Sequence, residues 1–303
     1  FNTMNKSVLL ALISFVLVFA ACEEEPPYIN FTPDRTIGDT TYVKLPAPSA
    51  ENKSIYIEEF TGVQCPNCPK AQAEAKLISD NNPNRVVILT MHPLGIMTPL
   101  TRPFDASKGD KKTSKYDFRT EPGARIFEMI GFGQTGSLPI GNVSRKLFGG
   151  ENHRNIDYQK WAAYAMQDLA EPTPVNIDLK AKNTGDSVEI EITLTYTSAV
   201  SDSQYVSIAL AENGIIDVQE SKDDQGASIY EDNYVHNHVL RTMVTGYFGD
   251  FLNASYEPGR VFYRKYRILR NGAWNSANLE AIAFVHLNTT KKNVLHAKYT
   301  KVR

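Results

Sequence analysis

Hydrophobic residues follow two different periods along this chain. In the first part, Ile55 and Ile57 alternate with their neighbours, which predicts a strand. A continuous β-branched and apolar run at 86–89 predicts a parallel strand that is covered on both faces. Between them, a helical spacing places four residues on one face: Cys68, Ala71, Ala75 and Ile78. The order strand, helix, strand predicts an α/β layer.

The second part of the chain alternates apolar and polar residues without helical segments. Alternating runs at 175–179 and 188–194 flank Asn183-Thr184-Gly185-Asp186, which is a hairpin signal. Many such strands without intervening helices predict an antiparallel β-sandwich. The further strands are predicted at 205–211, 261–269, 279–287 and 294–301.

The segment between the two patterns sets the domain count. Glu171-Pro172-Thr173-Pro174 ends the helices and begins the alternation, as a linker does. The chain has 303 residues, of which 42% are hydrophobic, and this is enough for two cores. We therefore expect an α/β domain at 54–171 and an all-β sandwich at 172–303. The net charge is only −2 and the charges are mixed, so nucleic acid is not an expected partner.

The N-terminal segment has the pattern of a secretory signal. Lys6 precedes an apolar run at 8–19 that is too short for a permanent membrane helix, which predicts a signal peptide at 1–21. The ending Ala20-Ala21-Cys22 resembles a lipobox, in which the cysteine is lipidated; an ordinary cleavage site is the alternative. Several acyl chains on Cys22 would anchor the protein stably.

Residues 22–53 are polar, contain several prolines and lack a regular period, which predicts a tether. The triplet Glu23-Glu24-Glu25 resembles the acidic signal that exports lipoproteins to the cell surface in Bacteroidetes-type bacteria. A solvated spacer is the alternative interpretation.

Cys65 and Cys68 form a Cys-x-x-Cys pair between the first strand and the helix. Pro66 fits the first helical position, and the unpaired amides of a helix start favour a thiolate. On this geometry we expect Cys65 to point outward and Cys68, on the apolar face, to point inward. The pair is interpreted as a redox site with an attacking and a resolving thiol. Half of a zinc site and a permanent structural disulfide are the alternatives.

Three histidines are candidates for chemistry. His92 follows the run at 86–89, at the edge where open α/β sheets hold their sites, and is a possible proton shuttle or an ordinary strand-end residue. His236 and His238 could face a metal together, but no third ligand is specified by spacing, so no metal site is expected. Residues 223–226 are acidic without the full calcium-loop pattern, which predicts a mobile loop.

The sequence EEFTGVQCPNCPKAQ, which starts at Glu58, resembles the active-site turn of the thioredoxin superfamily and, more narrowly, the Omp28-related lipoproteins of Bacteroidetes-type bacteria. The resemblance to these lipoproteins extends to SLPIGN from Ser137 and YVHNHVLR from Tyr234. The resemblance implies a thioredoxin-like domain at 54–171 with a helical insertion at 93–134, followed by the sandwich. It also implies that Pro139 is a cis proline facing a Cys65–Cys68 disulfide.

The expected function is thiol–disulfide exchange on extracytoplasmic proteins, with Cys65 attacking, Cys68 resolving and Pro139 shaping the docking edge. The alternative is a surface binding or adhesion protein whose disulfide is inert. The expected partners are protein thiols or disulfides outside the cytoplasm. The outer membrane is the other expected partner, because lipid on Cys22 would anchor the protein to it at the cell-surface or periplasmic face. No cofactor is expected.

Replacing Cys22 by Ala should leave the protein exported but release it from the membrane fraction, because the acyl chains would be lost. Fractionation and labelling with radioactive fatty acid check this. Continued membrane retention of the variant, with no label in the parent protein, would contradict lipidation of Cys22.

Overall fold

The fold is known from a computed structural model that describes residues 35–133, 136–288 and 290–303. The expected signal peptide, Cys22 and the acidic triplet lie outside the described residues. The four α-helices of the described part are α1 (Cys68–Asn81), α2 (Thr98–Thr101), α3 (Glu121–Ile130) and α4 (Trp161–Leu169). In the same ranges, no helix has the length and apolar character needed to cross a membrane.

Most of the regular structure is β-sheet. The first strands are β1 (Thr36–Val43), β2 (Ile55–Phe60), β3 (Val86–Pro93), β4 (Arg119–Thr120), β5 (Ile140–Val143), β6 (Val175–Thr184), β7 (Ser187–Tyr196) and β8 (Gln204–Glu212). The others are β9 (Ile215–Lys222), β10 (Ser228–His236), β11 (Val239–Met243), β12 (Asp250–Phe251), β13 (Arg260–Leu269), β14 (Leu279–Leu287) and β15 (Val294–Lys301). The predicted β-rich second part is confirmed.

Two larger sheets and one two-stranded sheet hold these strands. A four-stranded antiparallel sheet has the order β1-β13-β7-β6, and β9 pairs with β10 separately. A nine-stranded sheet has the path β15-β14-β8-β11-β3-β2-β5, with β12 paired to β8 and β4 to β3. In this sheet β2 and β3 are parallel, β5 is antiparallel to β2, and β11 is parallel to β3.

The strands β2 and β3 are buried on both faces. The continuous apolar run at 86–89 predicted this for β3, whereas β2 was predicted only as an alternating strand. One face, with Ile57 and Ile88, packs on α1 and α4. The other face, with Phe60 and Leu89, packs on α3 and on strands of the second part of the chain. These two strands therefore lie in the middle layer of the α/β part.

The structure does not separate the chain at residue 171 into two cores. The nine-stranded sheet contains strands from both sides of that position, because β11 pairs with β3 at Val239 and Thr90. Tyr56 of β2 stacks on Phe284 of β14 with ring centroids 4.4 Å apart. The Ser54 amide also donates to Nδ1 of His296 over 3.0 Å. The two expected domains thus share a sheet and a core.

Part of the expected tether is a strand. Residues of β1 pair with β13 from Thr36 to Val43, so they form an edge of the four-stranded sheet. Farther along, Lys53 is buried and its ammonium contacts Asp168 over 2.6 Å. The polar sequence lacked a regular period because β1 is exposed on most of its length and has a bulge between Thr36 and Gly38.

Because the core is shared, the fragment 54–171 should not fold alone, and it should lack a cooperative thermal transition. Near-UV circular dichroism and thermal unfolding of this fragment check the expectation, with the fragment 33–303 as the matched control. A cooperative transition in the short fragment would show that β2, β3 and α1 do not depend on β8 and β14.

Candidate functional site

The two cysteines lie where β2 passes into α1. The helix begins at Cys68, and the proline in its first turn is Pro69, so Cys65 and Pro66 belong to the preceding turn and not to the helix as expected. Cys65 and Cys68 form a disulfide, with their Cα atoms 5.4 Å apart. The Cys68 amide donates to the carbonyl of Cys65 over 3.1 Å, which closes the turn.

The expectation that Cys65 is exposed is wrong. Cys65 is 1% exposed and Cys68 is fully buried. On one side, α2 packs so tightly on the turn that a Cβ on Gly62 would lie 2.2 Å from the carbonyl oxygen of Leu100. The Gln64 amide donates to that same oxygen over 3.0 Å. The helical face alone could not reveal this, since the covering residues come from elsewhere in the chain.

The other cover is a hairpin that we call the arm, formed by β9 and β10 at residues 215–236. The side-chain amide of Gln219 donates to the carbonyls of Gly62 over 3.1 Å and Cys65 over 3.2 Å. The Glu220 amide donates to the carbonyl of Val63 over 2.8 Å. The arm is therefore hydrogen-bonded directly to the turn that carries the disulfide.

The arm is also held on the segment after β3. The Asp217 carboxylate accepts from the backbone amides of Lys115, over 2.9 and 3.0 Å, and Tyr116, over 2.9 Å. Beneath it lies a small apolar core that includes Phe104 and Val218. Lifting the arm would break these contacts together with those of Gln219.

Pro139 lies immediately before β5, and the Leu138–Pro139 peptide bond is cis. Pro139 is buried, and the side chain of Leu138 belongs to the same apolar cluster as Cys65 and Cys68. The structure thus brings the segment before β5 and the disulfide into one region.

His92 occupies the end of β3, where it was expected, but its surroundings are aromatic. Its ring packs against Phe118, with centroids 5.2 Å apart, and against His236, at 6.4 Å. Burial lowers the pKa of His92 to about 3. No contact of this ring with either cysteine is found in the described residues, so a role as a direct proton shuttle stays a prediction.

His236 and His238 do not share a face. His238 has a positive φ of 55° and its Nδ1 lies 2.7 Å from Oε1 of Glu280. His236 instead turns toward His92 and Tyr234. Among the described residues, no cluster of three or more histidine, cysteine, aspartate or glutamate side chains could hold a metal.

Glu59 is a site residue that the sequence interpretation did not identify. It lies on β2 six positions before Cys65, and its side chain is 1% exposed. Burial raises the pKa of Glu59 to about 8. Weak hydrogen bonds from Thr90 and Gln72 lower this pKa, but by less than burial raises it. Its Oε1 atom has no hydrogen-bond partner within the described ranges. The sequence carried no signal for it, because the alternation at 55–57 predicts a strand but not burial on both faces.

A short polar path joins Glu59 to the arm. Gln72, one turn after Cys68 on α1, interacts with Glu59 and accepts a hydrogen bond from the hydroxyl of Tyr234. Gln72 also donates to the hydroxyl of Thr61 over 3.4 Å. Gln72 thus connects Glu59, the first turns of α1 and the arm in one polar region.

These features define a β-rich protein with a disulfide beneath a two-stranded arm. The model of the family described as outer membrane protein Omp28 matches residues 131–303. That is more than half of the chain, so the protein belongs to the Omp28 family of outer membrane proteins. The matched segment includes the arm and begins after the cysteines.

The chain is similar to solved structures at low identity. HBP35 of Porphyromonas gingivalis matches with a TM-score of 0.62 and 18% identity, over 84% of this chain and 77% of that chain. A protein of Agrobacterium tumefaciens matches with a TM-score of 0.46 and 11% identity, over 84% and 97% of the two chains. At this identity the similarity to HBP35 shows a shared fold. No curated protein matches the chain.

Replacing Glu59 by Gln should change how the free energy of unfolding depends on pH. Between about pH 4.5 and pH 8 the unfolded chain ionises Glu59 while the folded protein keeps it protonated, so the parent loses stability relative to the variant as pH rises. The loss should reach a few kcal/mol, since one pKa unit is about 1.4 kcal/mol. Urea unfolding at several pH values measures it, with the exposed Glu128→Gln as the control; parallel curves for parent and Glu59→Gln would contradict the raised pKa.

Proposed function

We propose that this protein is a lipid-anchored outer membrane protein that exchanges disulfides with extracytoplasmic protein clients through Cys65 and Cys68. The observation that carries the proposal is the disulfide where β2 passes into α1, together with a buried and partly unpartnered carboxyl group on β2, Glu59. Perturbed acids next to a reactive pair are typical of sites that transfer protons. The anchor at Cys22 rests on the resemblance of its sequence to a lipobox.

The arrangement of elements supports a thioredoxin-like α/β part. The chain order is β2, α1, β3, α3, β5 and α4, with β2 parallel to β3 and β5 antiparallel to β2. Helices α1 and α4 pack on one face of these strands, and α3 packs on the other. This is the order and layering expected from the resemblance. Pro139 then lies at the edge where a client would dock.

The exchange itself is a pair of thiolate displacements. A client thiolate attacks Sγ of Cys65, a mixed disulfide forms, and Cys68 leaves as a thiolate; a second client thiolate then displaces Cys65. Two electrons pass from the client to the protein, and the reverse sequence oxidises Cys65 and Cys68 again. Glu59 would give a proton to the Cys68 thiolate as it leaves and take the proton back in the reverse sequence, because its pKa of about 8 lies close to neutrality.

Client access requires movement of the arm. Cys65 is 1% exposed, so no protein thiolate can reach its sulfur while Gln219 and Glu220 remain bonded to the turn. The exchange is therefore proposed to be gated, with the closed arm protecting the disulfide and a client or a membrane partner displacing it.

The burial of Cys65 and Cys68 also supports a second candidate function. A disulfide that stays covered would be a structural link in a surface binding protein. A redox titration separates the two: a reduction potential below about −300 mV indicates a structural bond, whereas a value near those of exchange enzymes supports exchange.

Replacing Cys68 by Ser should trap mixed disulfides between Cys65 and clients, because the resolving thiol is absent, whereas replacing Cys65 should trap none. Adding Gln219→Ala to Cys68→Ser should raise the trapped yield by roughly tenfold, since two hydrogen bonds of the closed arm are worth about 1–2 kcal/mol together. Non-reducing electrophoresis of cell extracts measures the yield.

The matched control is Gln225→Ala, which alters the exposed tip of the arm and not its contact with the turn. It should trap as much client as Cys68→Ser alone. If Cys68→Ser traps no protein even with Gln219→Ala present, the exchange function is wrong and the binding function takes its place.

A further inference from the structure

Two histidines that are far apart in sequence meet in one buried space. His92 ends β3 and His236 ends β10 of the arm, and each is 1% exposed. Their ring centroids lie 6.4 Å apart, with the ring planes inclined by 62°. At this contact the end of β3 and the end of the arm approach each other.

The ring nitrogens of both histidines lack hydrogen-bond partners among the described residues. The His236 ring lies beside the backbone of Asp217 and Val218, but no hydrogen bond of normal geometry forms there. Leaving a buried polar group without a partner costs about 1–3 kcal/mol. One ligand bound between the two rings, whose centroids are 6.4 Å apart, would satisfy both groups.

Aromatic rings enclose the pair. The Phe118 ring lies 5.2 Å from the ring of His92 and 4.7 Å from that of His236. The Tyr234 ring lies 4.9 Å from His236 on another side. Such a shell excludes water, so it disfavours strongly hydrated ions and favours a soft, easily dehydrated one.

The electrostatics permit a cation between the rings. Burial lowers the pKa of His92 to about 3 and of His236 to about 4, so both imidazoles are neutral at pH 7, which is the form that binds metals. The charges that act on the pair are those of Asp117, Asp217 and Arg241. Arg241 is paired with Glu212 over 2.8 Å, which offsets its repulsion of a cation.

The spacing suits an ion bound by two imidazoles. A metal–imidazole nitrogen bond is about 2.0 Å and each ring adds roughly 1 Å, so an ion midway between two rings sets their centroids about 6 Å apart. The observed separation is 6.4 Å. Zinc requires four ligands, and the described residues provide no such set, whereas monovalent copper and silver accept two.

We propose that His92 and His236 form a two-coordinate site for a soft monovalent cation, Cu(I). One nitrogen of each ring donates its lone pair to the ion, and no electron transfer is involved. Because His92 belongs to β3 and His236 to the arm, the bound ion joins the arm to the sheet and holds it closed over the disulfide.

The test uses the full chain with Cys22→Ser and with the Cys65–Cys68 disulfide oxidised, so that no free thiol competes. Silver nitrate in chloride-free buffer is the redox-inert probe, and Cu(I) under anaerobic competition with bicinchoninate is the second. We expect one ion per chain. Binding should weaken by more than about 100-fold in His92→Phe and in His236→Phe, because each removes a ligand.

His238→Asn is the matched control, since it lies two positions from His236, pairs with Glu280 and has a positive φ that Asn accepts. It should bind silver as the parent does. Equal binding by all four proteins would mean an adventitious ion only and would overturn the site.

A measurement on the parent protein avoids dependence on the folding of the variants. Long-range proton–nitrogen spectra should show the signals of two histidine rings shifting together when one equivalent of silver is added. Hydrogen exchange at the Glu220 amide should also slow by at least about tenfold, because the arm opens less often when the ion joins it to the sheet. Unchanged ring signals or unchanged exchange would place the ion elsewhere and overturn the proposal.

Discussion

The structure depends on two strands that have no solvent face. In β8 and β14, alternate residues belong to two different cores: Val206 and Ala283 pack against the four-stranded sheet, whereas Ala209 and Phe284 pack against the strands around the disulfide. When a strand is buried on both sides, a change of packing on one face affects the packing on the other, because neither face can relax into water. The sandwich and the α/β part therefore stabilise each other, and neither core is complete without these strands.

This shared packing is also what builds the site. The turn with the cysteines comes from the first part of the chain, but its cover, Gln219 and Glu220, comes from the second. The arm leaves the sheet after β8 and returns to it as β11, which pairs with both β8 and β3. Its base is thus fixed in the sheet at two points, while its span is held by hydrogen bonds to the turn, by Asp217 and by the small apolar core with Val63 and Val218. Opening of the arm has to break these contacts together and leaves the base in place.

The sequence supported the local structure well and the tertiary structure poorly, for physical reasons. Periodicity identified β2, α1, β3 and most strands of the second part, since each pattern reports which side of an element is buried. It could not report what buries that side. Glu171-Pro172-Thr173-Pro174 does end the helices, yet such a linker is equally compatible with a chain that returns to the same sheet. The bond from Gln219 to Cys65 and the meeting of His92 with His236 both join residues more than 100 positions apart, which no local pattern encodes.

The two neighbouring acids of β2 show how the fold distinguishes a structural charge from a chemical one. Glu58 faces the shared core, where the guanidinium of Arg145 contacts it over 2.6 Å and Asn142 donates to it over 2.9 Å. A buried charge with such partners costs little, and losing one partner would cost more than the pair contributes. Glu59 points to the opposite face, toward α1, with only weak partners and a pKa raised to about 8 by burial. An apolar residue would satisfy that position better, so packing does not explain this acid. Under the proposed exchange function, this acid is the group that would store the proton.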